Sequence, residues 1–257
     1  MNTQDEVPSN ENTSAQPPSR DIESIQSATV TGLQFPTSFN LYRDGVSKSN
    51  FFIGTDQKHP LCLFISNKWH SPEMVLHSGT EKSSETIATA SWGEADSFFV
   101  AQLLPAPGTG ASATNETATN FRDGSMTRAY RFSIEVEPTN TRETFVWRAS
   151  QGNAVKSLEG DPIGMELVHI SQDKLRSFDS ESLYTITDFN TDSEGYEVVA
   201  AWTLAKGSLT KIAKFQFMGT GSTDKLGQKW TLMAVISFCA LVNQKKRGTT
   251  GSVYIFQ

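Results

Sequence analysis

The run Trp230-Thr231-Leu232-Met233-Ala234-Val235-Ile236-Ser237-Phe238-Cys239-Ala240-Leu241-Val242 carries no glycine, proline or charge. Ser222, Thr223 and Asp224 lie just upstream and supply N-capping side chains. Asn243, Lys245, Lys246 and Arg247 follow, cations where a helix C-terminus favours them, with Gly248 beyond. The spacing predicts a helix over about 223–246. On a helical wheel Trp230, Leu232, Met233, Val235, Ile236, Phe238, Leu241 and Val242 cover nearly the whole circumference, and a helix apolar all round must be surrounded. Its uninterrupted apolar stretch is shorter than the roughly 20 residues that span a bilayer, which favours a core helix over a membrane span.

The rest of the chain reads as strands. From Met126 to Val136, the residues Met126, Arg128, Tyr130, Phe132, Ile134 and Val136 share one face, and Thr127, Arg131, Ser133 and Glu135 share the other. Tyr196, Val198, Ala200, Trp202 and Leu204 alternate in the same way, and Phe145 and Trp147 stand opposite Arg142, Thr144 and Arg148. Further β-branched and aromatic runs bounded by Gly, Pro, Asn and Asp cover 29–35, 40–43, 50–55, 61–66, 74–78, 86–92, 97–104, 163–170 and 209–218. To cover one apolar helix on every side, about twelve such strands curl into a closed barrel around it, which makes the fold mainly β.

Residues 1–27 are polar, acidic and nearly free of large apolar side chains, so they are expected to form a disordered tail before a single domain over 28–257. They lack the basic flank and apolar core of a signal peptide. Pro105 to Asn120 is rich in Pro, Gly, Ala, Thr and Ser, the composition of a flexible loop over 105–120. The two cysteines, Cys62 and Cys239, sit in apolar runs and read as buried thiols in a reducing, cytoplasmic setting.

A net charge of -6 gives no basic footprint for nucleic acid. His59, His70, His77 and His169 are scattered and form no zinc spacing with the cysteines, so no metal and no cofactor is expected. The Gly219-Thr220-Gly221 turn has its next glycine at Gly227, too far for a dinucleotide fingerprint, and fits a tight turn into the helix. Asp179, Glu181, Asp188, Asp192 and Glu194 read as solvated turns, and the chain is expected not to be an enzyme. One asymmetry remains. Lys206, Lys211, Lys214, Lys225, Lys229, Lys245, Lys246 and Arg247 crowd the C-terminal third, with Asp224 the only acid among them.

Lys214-Phe215-Gln216-Phe217-Met218-Gly219-Thr220-Gly221, followed by Leu226-Gly227-Gln228-Lys229-Trp230-Thr231-Leu232-Met233-Ala234-Val235-Ile236, resembles the C-terminal end of tubby-like, LURP-one-related and phospholipid-scramblase-like proteins, and more closely a fungal branch of them. Phe145-Val146-Trp147-Arg148 and Glu197-Val198-Val199-Ala200-Ala201-Trp202 resemble that branch too. The resemblance implies a twelve-stranded closed barrel threaded by the hydrophobic helix, and a role in phosphoinositide binding or at membranes. No lipid-binding motif of the tubby proteins is matched, so no residue is transferred. The expected function is a monomeric, non-enzymatic binding module that engages anionic lipid peripherally through Lys206, Lys211, Lys214, Lys245, Lys246 and Arg247. The alternative is a protein-interaction scaffold that recruits partners through the acidic tail and the 105–120 loop.

Overall fold

The computed structural model describes Met1 and residues 28–30, 33–45, 47–67, 73–105, 112–121, 129–170 and 196–251. Two short strands, β1 (Ala28–Val30) and β2 (Leu33–Phe35), pair with each other outside the main sheet. Twelve more follow: β3 (Ser38–Arg43), β4 (Asn50–Gly54), β5 (Pro60–Ser66), β6 (Met74–His77), β7 (Thr86–Trp92), β8 (Phe98–Leu103), β9 (Thr114–Phe121), β10 (Ala129–Val136), β11 (Thr141–Ser150), β12 (Gly164–Ile170), β13 (Glu197–Leu204) and β14 (Lys211–Phe217). A one-turn helix, α1 (Asn153–Lys156), precedes β12, and the long helix α2 (Gly227–Gly251) ends the described chain.

The twelve strands close into an antiparallel barrel in which sequence neighbours pair throughout, and β14, besides pairing with β13, pairs with β3 and joins the C-terminal third to the start of the domain. Helix α2 runs through it. Every residue from Trp230 to Val242 is at most 3% exposed, as an all-round apolar helix requires. Phe238 meets Phe39 of β3, Trp202 of β13 and Phe215 of β14 at ring-centroid distances of 6.1, 5.9 and 5.0 Å. Trp230 packs between Phe145 of β11 and Phe217 of β14. The two buried hydroxyls of the apolar run are satisfied: Ser237 accepts the indole N–H of Trp147 at 2.8 Å and donates to the Ala234 carbonyl, and Thr231 donates to the Gly227 carbonyl.

The barrel has two distinct ends. At the lower end the chain leaves β14, turns through two 3-10 segments (Gly219–Ser222 and Asp224–Leu226) and enters α2. A side chain at Gly221 would collide with the Val199 carbonyl and the Trp230 ring, which explains the Gly-Thr-Gly sequence without a ligand. At the upper end α2 leaves the barrel, with the Tyr130 hydroxyl donating to Gln244 Oε1 at 2.6 Å. The β3–β4, β7–β8, β11–β12 and β13–β14 connections share that upper end.

Several expectations need correction. The flexible loop of 105–120 holds a strand over much of its length, because Glu116 and Ala118 turn inward while Asn115, Thr117 and Thr119 stay outside, and β9 pairs with β8 over six residues. The single strand of 29–35 is instead the β1–β2 pair. In β13 a bulge leaves Val199 unpaired, so Tyr196 and Val198 join an outer apolar cluster with Val146 and Val168 while Ala200 and Trp202 face the helix. The long helix begins at Gly227, Thr223 caps only the short Asp224–Leu226 turn, and α2 continues past Gly248 to Gly251. Residues 126–128 of the strand expected over 126–136, the tail from residue 2 to 27, His70, and the carboxylates from Asp179 to Glu194 lie outside the described residues.

Candidate functional site

The C-terminal cations divide between the two ends. Lys225 and Lys229 belong to the lower end, where Lys229 pairs with Glu135 of β10 at 3.1 Å and holds that carboxyl below its usual range. Lys206, Lys211, Lys214, Lys245 and Lys246 belong to the upper end, within or beside the β13–β14 connection and the exit of α2. Arg247 lies in α2, but its side chain is outside the described residues.

Their environments differ. Lys206 is exposed in the β13–β14 connection. Lys211 opens β14 on its outer face, 5.8 Å from the Tyr42 ring centroid. Lys214 also faces outward, but its ammonium donates to the Leu158 and Glu159 carbonyls at 2.7 and 3.1 Å, tying the β11–β12 connection to the barrel wall. Lys245 and Lys246 flank the departing helix, with their ammonium groups 5.7 Å from the Trp202 ring centroid and 4.4 Å from that of Phe51. Burial lowers Lys245, with Asp161 partly opposing. Burial, with repulsion from Arg43, brings Lys246 down to about 8.

The Lys246 shift predicts a pH dependence. An unfolded lysine keeps the ordinary value of 10.5, so between about 8 and 10.5 the unfolded chain binds more protons and stability rises with pH. Below that window both states are charged and the folded state bears the whole desolvation cost. Lys246→Met is therefore expected to raise the urea midpoint at neutral pH and to flatten the alkaline rise; an unchanged alkaline profile would contradict this.

Barrel closure adds two cations that sequence reasoning missed. Arg43 ends β3 beside β14, its N–H donating to the Thr210 carbonyl, and Lys48 sits in the β3–β4 connection at the same end; both are exposed. Together, β14, β3 and the exit of α2 make a basic sector of Lys206, Lys211, Arg43, Lys48 and Lys246. Asp44 lies within this sector, and the 55–59 turn, which carries Asp56, folds over its outer side through Asn40, Tyr42 and Thr210. Among the described residues, the other acids of the upper end, Glu73, Glu94, Asp96, Glu159 and Asp161, lie on the β5–β6, β7–β8 and β11–β12 connections.

Two other places were candidates for chemistry. His169 stacks on Phe145 with a ring-centroid distance of 4.9 Å, with Glu143 Oε2 2.5 Å from Nε2 and Glu197 Oε2 3.9 Å from Nδ1. The carboxylates flank opposite nitrogens of the ring and cannot converge on one ion, and no group of metal-ligating side chains occurs among the described residues. Glu197 also accepts the Thr220 N–H at 2.6 Å, so the cluster fastens the turn into α2. The second place is a cleft of about 310 Å³ where β9 and β10, paired only from Thr119 to Phe121, part company. Arg142 reaches across it from β11 to Glu116 at 2.5 Å and to the Ser133 carbonyl, closing the wall where the ladder stops.

Cys62 and Cys239 are free, buried thiols, as expected, and burial pushes both well above the ordinary thiol range, which makes them poor nucleophiles. Among the described residues no helix is long and apolar enough to cross a membrane. Compared with known proteins, the chain matches no family model, no curated protein and no solved structure.

Proposed function

We propose that the protein is a non-enzymatic, monomeric binding module that docks peripherally, from the cytoplasm, on anionic membrane lipid, phosphoinositides included, with the upper end of the barrel facing the bilayer. The observation that supports it best is the basic sector itself. Segments distant in sequence bring Lys206, Lys211, Arg43 and Lys48 to one end, Lys211 half-buried against Tyr42 and the other three exposed, with Asp44 among them, Asp56 beside them and the remaining described acids of that end on other connections. Each cation near an anionic surface contributes about 1 kcal/mol, so four suffice for reversible, salt-sensitive attachment. A barrel threaded by a helix is also the architecture implied by the resemblance to tubby-like and scramblase-like proteins, which supports the same reading. Lys214 takes no part in it, because its ammonium serves the β11–β12 connection.

The scaffold alternative loses part of its basis, since the region expected as a recruiting loop contributes a strand to the barrel wall. Co-sedimentation with phosphatidylcholine vesicles, with and without phosphatidylserine or phosphoinositide, tests the proposal. The wild type is expected to bind the anionic vesicles alone, and Lys206→Glu with Lys48→Glu to weaken binding by more than tenfold. Equal, negligible binding to all vesicles at low salt would remove the lipid reading.

A further inference from the structure

Leu209 is 96% exposed, and the only other large hydrophobic side chain so exposed among the described residues is Met1. A single exposed leucine needs no explanation by itself. This one stands in Lys206-Gly207-Ser208-Leu209-Thr210-Lys211, the connection between β13 and β14 at the upper end, with a lysine on each side and the basic sector behind it. We propose that this connection is a membrane-inserting loop: Leu209 enters the acyl boundary of an anionic bilayer while Lys206 and Lys211 hold the headgroups around it. The inference rests on the lipid reading above and names the element that makes the contact.

The loop is built to present that side chain. Gly207 adopts a φ of +70°, a conformation that glycine takes without strain, and turns the chain back on itself. The Lys211 N–H donates to Ser208 Oγ at 2.9 Å, and Ala205 N–H donates to the Ile212 carbonyl at 2.9 Å below the turn. The Thr210 carbonyl accepts the Arg43 N–H at 2.8 Å, and the Thr210 hydroxyl donates to Gln57 Oε1 at 2.9 Å. Leu209 is therefore held outward by a loop anchored on two sides, so insertion requires little further ordering.

The surroundings select the occupant. A protein interface would ask for an apolar patch around the leucine, fully desolvated at its centre. Here the sequence neighbours are Lys206, Gly207, Ser208, Thr210 and Lys211, cations and hydroxyls, and among the described residues of this end no second large apolar side chain is exposed. A bilayer with anionic headgroups supplies an apolar interior and a negative surface within the same few ångströms.

The full chain should be tested on vesicles of phosphatidylcholine and phosphatidylserine. Leu209→Ser is expected to keep the wild-type melting temperature and salt dependence but to weaken partitioning by about tenfold. In Leu209→Cys, the buried Cys62 and Cys239 leave position 209 as the accessible thiol. An environment-sensitive dye placed there should shift to the blue on vesicles and be quenched by brominated acyl chains. Wild-type partitioning by Leu209→Ser with an unquenched dye would overturn the insertion while the charge-based reading stood. Failure of the wild type to bind these vesicles, and the same vesicles carrying phosphoinositide, at low salt would overturn both, even if Leu209→Ser released a co-purifying protein.

Discussion

Ile236→Asp is expected to leave no folded protein at ordinary temperature. Ile236 is fully buried at the middle of α2, inside the hydrophobic core that the helix shares with the barrel strands. A carboxylate there has no cation or donor to pair with, and the cost, about 5 kcal/mol or more, is comparable with the whole folding free energy of an ordinary domain. Ile236→Val, which removes one methylene at the same place, is expected to cost only about 1 kcal/mol. Circular dichroism melts of the two variants separate the outcomes. A soluble Ile236→Asp with the wild-type midpoint would mean that α2 has a wet face.

Arg148→Ala has the second-largest expected effect. Arg148 and Glu166 pair at 3.2 Å on the outer face of β11 and β12, yet they are only 2% and 1% exposed. Removing the guanidinium strands a desolvated carboxylate, a loss of about 3–5 kcal/mol by the usual behaviour of broken buried pairs. The same principle gives a sharper check, because replacing both partners by apolar residues of similar volume is often neutral. Arg148→Met with Glu166→Leu is therefore expected to recover most of the midpoint that Arg148→Ala loses in urea. A double variant no better than the single one would show that the pair also acts through its other neighbours.

How much of this was readable beforehand depended on whether the signal was local. The core helix was legible because apolarity on every face has one physical remedy, enclosure, and α2 is enclosed. Strands such as β10 and β11 were legible because large side chains alternate with polar ones. β9 was not, since its inward residues include a glutamate and a small alanine, and its threonines and asparagines have the composition of a loop. The bulge at Val199 was invisible because the slip depends on the partner strand, not on β13 itself. The basic sector was half legible: Lys206 and Lys211 belong to the crowded C-terminal third, whereas Arg43 and Lys48 join them only because β14 pairs with β3. Closure of a barrel, which brings its last strand beside its first, was the available clue to those two.

The same reasoning explains why Leu209 drew no notice in the sequence. It reads as the first residue of an apolar strand run, and only the observed start of β14 at Lys211 leaves it outside the ladder and in the open. Its position then joins the charge argument to the apolar one at a single end of the barrel. At the lower end Lys229 is paired to Glu135 and the turn into α2 is fastened by Glu197.

Hydrogen exchange of the full chain, free and on anionic vesicles, tests most directly which end meets the membrane. Vesicles are expected to slow exchange in residues 205–211 and in the β3–β4 connection at 44–49, and to leave the lower connections at 78–85 and 137–140 unchanged. Slowing confined to the lower end, or no slowing in 205–211 while the protein is bound, would contradict it.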